Sequence, residues 1–247
     1  GQKISKSKGN GIAIEEWLRY ASQESLALFM FQKPRTAKRL HWDVIPKTAD
    51  EYDQHLRAFP SQPVEKRLAN PAWHIHGGTP PESQMAVSFS MLLNLASAAS
   101  AEDKATLWGF IRRYAPGASP ETHPALDAAA GHAVRYFQDK VKPTKTYRMP
   151  DEREIAALAD LAGRLRATDE TEAERLQDIV FAVGNEHGFE PLRDWFRAIY
   201  EVLLGQSQGP RFGGFIAIYG VAETVDLIEK ALAGGLVAEH NPMGGAR

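Results

Sequence analysis

Repeated helix-start signals limit what this sequence can fold into more than any other feature. A Ser, Thr or Asp placed three residues before a carboxylate can cap a helix, because each side chain satisfies a free backbone N–H group of the other residue. Such pairs, each ahead of apolar residues at three- and four-residue spacing, are Thr48 with Glu51, Ser100 with Asp103, Asp151 with Glu154 and Thr171 with Glu174. The sequence therefore predicts an all-α fold with little or no sheet.

The same spacing gives an approximate position for each helix. The predicted helices cover 13–20, 23–32, 48–58, 63–69, 83–99, 101–114, 123–141, 151–166, 171–187, 190–204 and 222–233. Residues 39–45 alternate in part between apolar and polar side chains before Pro46, a pattern that favours a short strand. The tail from Gly234 onward is expected to fray.

A proline-rich connection at 140–150 is the best candidate for a domain boundary. It is polar and basic, Pro143 and Pro150 flank it, and the predicted helices on both sides are well defined. A second connection, at 70–81, is also rich in proline. We therefore predict one helical domain that ends near 142 and another that begins near 150.

Composition excludes several classes of protein and site. The 247 residues contain no cysteine, so disulfides and thiolate metal sites are excluded. His74 and His76 alternate on an extended segment but have no third ligand near them in sequence, so no metal site is expected. Apolar runs fall short of the roughly 20 residues that cross a bilayer, and no apolar segment follows the basic N-terminus, which favours a cytoplasmic protein without a membrane partner.

Positive charge is concentrated near the start of a chain whose net charge is only −2. Residues 33–42 contain four cations around a proline, followed by an aromatic residue; the cations are Lys33, Arg35, Lys38 and Arg39. A solvated loop and a contact with a nucleic-acid backbone are both consistent with this run.

The C-terminal half contains an aromatic set and a glycine-rich turn. The segment 209–215, G-P-R-F-G-G-F, lacks the lysine and hydroxyl of a phosphate-binding loop, so we predict a tight turn that packs Phe212 and Phe215 between helices. The aromatic residues of this half could stack on unpaired bases, although their helical spacing places most of them in the core. The set is Trp195, Phe196, Tyr200, Phe212, Phe215 and Tyr219.

The first residues combine lysines with small residues. In K-I-S-K-S-K-G, residues 3–9, Lys3 and Lys6 lie three positions apart in a segment that ends in glycine. Ammonium groups on such an arm can stabilise the charge that builds on phosphates when pyrophosphate leaves. Taken alone, a run of this length is more typical of a solvated tail.

Similarity along nearly the whole chain favours the catalytic interpretation of that arm. Residues 3–7, K-I-S-K-S, resemble the K-M-S-K-S signature loop of class I aminoacyl-tRNA synthetases, and K-G-N-G-I-A-I-E-E-W-L resembles the passage from loop to helix after it. Further segments resemble class I lysyl-tRNA synthetase, from residue 1 to about 233. They are R-L-H-W-D-V-I-P, N-P-A-W-H-I-H-G, V-S-F-S-M-L-L-N-L-A-S, Y-F-Q-D-K-V-K-P-T-K and Q-G-P-R-F-G-G-F-I-A-I-Y-G.

The resemblance implies an enzyme that activates lysine with ATP and Mg²⁺ and charges tRNA-Lys. In that family a Rossmann domain with an H-I-G-H-type motif precedes the signature loop, and helical domains after it contact the tRNA and read its anticodon. This sequence has neither that motif nor a strand–helix alternation, so it resembles the C-terminal portion of such an enzyme. On its own, that portion is expected to be inactive and to bind no cofactor. The implied division is 1–46 for the signature loop and stem contact, 47–149 for a helical bundle and 150–247 for anticodon binding.

The resemblance also implies roles for individual residues. Lys3 and Lys6 would bind ATP, and Lys6 would stabilise the departing pyrophosphate. Ser5 and Ser7 would shape the loop, which we expect to be mobile or restructured. Contacts with tRNA are predicted at Lys33, Arg35, Lys38 and Arg39, and contacts with the anticodon at Trp195, Arg211 and Phe212.

Several partners and alternatives complete these expectations. The partners are tRNA-Lys and, only together with the catalytic domain, lysine and ATP; we expect a monomer. One alternative is an inactive helical RNA- or protein-binding module derived from a synthetase. The other is a fragment of a glutamyl-type class I synthetase.

Overall fold

The computed structural model describes residues 13–32, 34–36 and 41–240. Within these residues every regular element is helical and none is a strand, which confirms the predicted all-α class. None of the described helices is both long and apolar enough to cross a membrane. In chain order, the α-helices are α1 Ile14–Tyr20, α2 Gln23–Phe31, α3 Val44–Ala58, α4 Val64–Arg67, α5 Pro71–Ile75, α6 Phe89–Ala98, α7 Lys104–Tyr114, α8 Pro124–Tyr136, α9 Glu152–Ala167, α10 Ala173–Glu186, α11 Arg193–Ile199, α12 Phe212–Tyr219, α13 Val221–Leu232 and α14 Gly235–His240.

Two compact units divide the chain. The first contains Gly1–Leu93 and Gly117–Lys140, and the second contains Asn94–Pro116 and Val141–Arg247. This division differs from the consecutive segments predicted from sequence, because α7 packs against α12 and is therefore grouped with the later helices. The functional division into 1–46, 47–149 and 150–247 stays a prediction.

The first unit packs short helices around a continuous apolar core. Helix α2 packs against α3 and α5, and α1 packs against α8. Trp17 is 1% exposed, and its indole Nε1 donates a 3.0 Å hydrogen bond to the buried Oγ of Ser25. Leu28 and Ile45 are fully buried in the same unit. Helices α1, α2 and α3 each contribute buried side chains to this core, whereas α4 has none.

The second unit depends on two close helix pairs, α10 with α12 and α9 with α13. Gly213 of α12 lies directly against α10, because a Cβ atom there would come within 2.4 Å of the Ala173 carbonyl oxygen. Its N–H donates a 2.8 Å hydrogen bond to the buried Oε1 of Gln177. Glycine therefore sets how closely these two helices approach.

The predicted helix-start signals differ in outcome. The pair Asp151 and Glu154 is confirmed at α9, where each side chain accepts a hydrogen bond from the backbone N–H of the other residue. The signal at Ser100 was misplaced, since Asp103 itself caps α7 by accepting a hydrogen bond from the Thr106 N–H.

The two threonine signals are wrong. Thr48 lies inside α3, which begins at Val44, and its hydroxyl donates to the Val44 carbonyl at 2.8 Å. At the start of α10 the N-cap is Glu172, and no side chain makes a capping hydrogen bond there. A hydroxyl can satisfy its hydrogen bond inside a helix as well as at its start, so the pattern does not distinguish the two.

The predicted strand at 39–45 is also wrong for its described part. His41 to Asp43 form a turn, in which the N–H of Val44 donates to the His41 carbonyl at 3.0 Å, and α3 follows. Helices α5 and α12 were missed, as was α14 in the tail that we expected to fray. Asn70 caps α5 and Pro71 occupies its first turn, a start signal that the sequence did contain.

Candidate nucleic-acid interface

Much of the predicted interface lies outside the described residues. This holds for the signature-loop residues Lys3, Ser5, Lys6 and Ser7 and for the cations Lys33, Lys38 and Arg39. Their roles stay predictions. Arg35 is described, and it is exposed in a turn that follows α2.

Trp195 is not available for stacking on a base. Its side chain is fully buried, and its indole Nε1 donates a 3.0 Å hydrogen bond to the Val180 carbonyl. The ring lies against Gly184, where a Cβ atom would come within 2.4 Å of Trp195 Cδ1. The structure therefore places this residue in the helical core, where a buried indole pairs its N–H internally.

Phe212 is likewise a core residue in this structure. It is fully buried and stacks on Phe215 with ring centroids 5.4 Å apart and an interplanar angle of 17°. The prediction that Phe212 and Phe215 pack inside is confirmed, although the segment begins α12 instead of forming only a turn. Neither Trp195 nor Phe212 offers a face to an unpaired base.

Arg211, in contrast, projects from a firmly held backbone. The Tyr200 hydroxyl donates a 2.5 Å hydrogen bond to the Pro210 carbonyl on one side of it, and Gly213 is held by Gln177 on the other. The Arg211 side chain is 64% exposed and lies 4.0 Å from the carboxylate of Glu174, itself 85% exposed. An ion pair this long and exposed is weak, so the guanidinium can exchange it for a phosphate or a base.

A row of partly exposed rings, which we call the aromatic edge, runs from Phe181 through Phe196 to Tyr200, whose hydroxyl bonds the carbonyl of Pro210 next to Arg211. Phe181 is 37% exposed and meets Phe196 edge to face at 5.3 Å. Phe196 and Tyr200 lie 6.5 Å apart, and Tyr200 contacts Phe212 beneath. The aromatic edge and Arg211 together combine ring faces with a planar cation, the groups that bind unpaired bases.

Sequence reasoning had considered Phe196 and Tyr200 as stacking faces but had missed Phe181. Phe181 directly follows Val180, whose side chain is fully buried in α10. A helical projection of α10 would have placed Phe181 at the margin of the buried face. Burial raises the pKa of Tyr200 to about 12, so its hydroxyl stays protonated and able to donate at neutral pH.

Neighbouring arginines are more tightly paired than Arg211. Arg197 lies 3.0 Å from Asp194. Arg148 contacts Glu154 at 2.6 Å and Glu201 at 2.7 Å, and the hydrogen bond to Glu154 raises the pKa of its guanidinium. The Arg148 pairs tie the start of α9 to the helical segment after α11, and the Arg197 pair lies within α11, so we assign both arginines a structural role.

The histidines that raised the question of a metal site have other partners. His76 Nε2 lies 2.7 Å from the Tyr52 hydroxyl, and His74 Nε2 lies 2.8 Å from the Leu68 carbonyl. In the part of the chain that the structure describes, no group of three His or acidic side chains could hold a metal ion. The ring nitrogens of both residues thus serve the packing of α5.

Comparison with known proteins gives a consistent result. Residues 1–79 match the family described as tRNA synthetases class I (K). The lysine–tRNA ligase of Roseobacter denitrificans is 63% identical over 240 residues, which cover 97% of this chain and 45% of that protein. The lysine–tRNA ligases of Rickettsia felis and Rickettsia bellii are 46% and 48% identical over 235 residues, which cover 94% of this chain and 45% of each relative.

The helical architecture and these matches define part of a class I aminoacyl-tRNA synthetase. Within that class, the chain belongs to the lysyl-tRNA synthetase family. It spans about 45% of the length of the relatives that it matches.

Proposed function

We propose that this chain is the tRNA-binding portion of a class I lysine–tRNA ligase, from the signature loop onward, and that it recognises tRNA-Lys in the cytoplasm. The observation that carries the proposal is the 63% identity to a lysine–tRNA ligase over 97% of the chain. At that level of identity the helical scaffold is shared over nearly the whole length. The matching family is the one described as class I (K), which favours this proposal over the glutamyl-type alternative.

The exposed groups of the second unit support a role in anticodon recognition. Arg211 and the aromatic edge lie on helices that are fixed by the buried residues Gln177 and Phe212. Preorganised cations and ring faces lower the cost of holding splayed bases. In this proposal Arg211 binds a phosphate or a base edge. Phe181 and Phe196 offer the faces for stacking on bases, in place of the buried rings of Trp195 and Phe212.

The signature loop has a catalytic role only in a complete enzyme. Lys3 and Lys6 would then contact ATP, which is a substrate together with its Mg²⁺, and Lys6 would stabilise the departing pyrophosphate. Ser5 and Ser7 would shape the loop around it. The residues of this chain that the structure describes form no strand and hence no nucleotide-binding sheet, so we propose that the chain alone does not activate lysine.

Binding to three transcripts tests this function. The 247-residue chain is titrated with tRNA-Lys, with tRNA-Glu, and with tRNA-Glu carrying the lysine anticodon. We expect tRNA-Lys to bind at least tenfold more tightly than tRNA-Glu, and the exchanged anticodon to recover much of that difference, because each lost base contact costs about 1–3 kcal/mol. Equal affinity for all three transcripts, or preference for tRNA-Glu, would contradict lysine-specific recognition.

A further inference from the structure

A pair of exposed stacked rings in the first unit has no role in the function proposed so far. Phe31 at the end of α2 and His74 in α5 lie with ring centroids 5.1 Å apart and an interplanar angle of 24°. Phe31 is 45% exposed, and His74 is exposed as well. We call these two residues the Phe31–His74 stack.

The stack is held in place by its neighbours. His74 Nε2 donates a 2.8 Å hydrogen bond to the Leu68 carbonyl, because a carbonyl oxygen can only accept. Trp73 meets the His74 ring edge to face at 5.0 Å, and α2 packs against α5. The rings are therefore positioned by a hydrogen bond, an indole edge and a helix contact, which suits a rigid platform.

Exposure of this much ring surface points to a ligand. Leu68, whose backbone carbonyl accepts the hydrogen bond from His74, is itself 59% exposed. The Phe31 ring is thus open to solvent yet held in a fixed position, which is the arrangement of aromatic rings that stack on unpaired bases.

Cations follow the stack directly in the chain. Arg35 is exposed in the turn after α2, four residues beyond Phe31, and its neighbours in sequence include Lys33, Lys38 and Arg39. Ring faces together with cations are what a single-stranded nucleic acid requires, since bases stack on the rings while ammonium and guanidinium groups contact phosphates. A protein partner would instead favour an apolar surface with few charges at its centre.

We propose that the Phe31–His74 stack binds an unpaired base of RNA, with Arg35 contacting a phosphate beside it. This site would be separate in sequence from the anticodon residues around Arg211. The inference rests on the proposed function, because it takes the RNA to be the tRNA, and it adds a second recognition element to it.

The test uses the whole chain with tRNA-Lys and with a single-stranded adenosine hexamer. Phe31→Leu keeps apolar volume but removes the ring face, so we expect it to weaken binding of both RNAs about tenfold. Phe31→Tyr restores a ring and should bind within about twofold of the unaltered chain. Phe59→Leu is the matched control, because the Phe59 ring is already covered by the Arg67 guanidinium at 5.3 Å, and it should leave affinity unchanged.

Each other outcome has a defined meaning. If the chain binds tRNA-Lys and Phe31→Leu binds equally well, the stacking site is wrong and the proposed function stands. If the unaltered chain binds neither RNA, both fail together. If Phe31→Leu alters only self-association of the chain, the stack is a protein contact and the inference is overturned.

Discussion

Lys145 shows how burial changes the chemistry of one residue. Its side chain is almost fully buried, its Nζ donates a 3.0 Å hydrogen bond to the Ser97 carbonyl, and it lies 4.7 Å from the centroid of the Tyr147 ring. Removal from water lowers the pKa of its ammonium group from the ordinary 10.5 to about 8. The folded state therefore releases this proton at a lower pH than the unfolded state does.

The free energy of unfolding should rise with pH because of Lys145. Between about pH 8 and 10.5 the unfolded chain holds the proton that the folded chain has lost, and stability increases wherever the unfolded state binds more protons. Between about pH 7 and pH 10, we expect the free energy of unfolding of Lys145→Met to rise by about 2 kcal/mol less than that of the unaltered chain. Urea unfolding of both proteins at each pH measures this difference.

An exposed lysine supplies the control. Lys66→Met on α4 removes a charge from the surface of the first unit and should leave the pH dependence as it is in the unaltered chain. If the free energy of unfolding changes with pH in the same way for the unaltered chain and for Lys145→Met, Lys145 is hydrated in the folded state and the prediction is wrong.

Arg211 is the single residue on which the proposed anticodon contact depends most. Arg211→Ala removes an exposed guanidinium without touching the core, so the chain should fold normally. We expect affinity for tRNA-Lys to fall about tenfold, with the slope of log K against log salt reduced by somewhat less than one unit, as for one lost phosphate contact. Fluorescence anisotropy at several salt concentrations measures both quantities.

Another exposed arginine shows whether the effect is specific. Arg166 on α9 pairs with Glu229 and is 50% exposed. Arg166→Ala should retain the affinity and the salt slope of the unaltered chain. A similar loss for Arg166 and Arg211 would indicate general electrostatic attraction only.

At the scale of elements, the contact between α10 and α12 depends on an absent side chain. A Cβ atom at Gly213 would lie 2.4 Å from both the Ala173 carbonyl oxygen and the Gln177 backbone nitrogen. These are backbone atoms of a packed helix and cannot turn aside as a flexible side chain could. The approach of the two helices, and with it the position of Arg211, is thus set by glycine.

Gly213→Ala should destabilise the chain by about 2–4 kcal/mol, since α10 and α12 must separate. The same substitution at Gly163, inside α9 with no atom within 4 Å of the added Cβ, should be neutral or stabilise by up to about 1 kcal/mol. Urea unfolding of both variants measures the difference. Equal stability of the two would show that α10 and α12 can shift without cost.

Helix ends show where local sequence suffices and where it does not. At α9 the start was predictable from Asp151 and Glu154, because both hydrogen bonds of the capping box are made within four residues. At α3 the prediction from Thr48 was wrong, because the turn from His41 to Asp43 starts the helix earlier and buries Ile45 completely. Tertiary burial outweighed the local signal there.

At the scale of the whole molecule, the proposal separates RNA recognition from catalysis. The chain alone should show no lysine-dependent exchange of pyrophosphate into ATP while binding tRNA-Lys. In a complete ligase that contains this chain, Lys6→Ala should slow the exchange about 100-fold or more, as loss of a group that stabilises the transition state does. The same change in the isolated chain should leave tRNA affinity within about twofold, and exchange activity of the isolated chain would contradict the proposal.

The sequence by itself determined the all-α class, the capping box of α9 and the relationship to lysyl-tRNA synthetases, since each follows from short-range spacing or from similarity along the chain. Only the tertiary structure decided which aromatic rings face solvent. Periodicity identifies an apolar helix face but not the helix that covers it, so Trp195 and Phe212 proved to be buried while Phe181 is exposed. The Phe31–His74 stack joins residues far apart in sequence, and only the packing of α2 against α5 brings those two rings together.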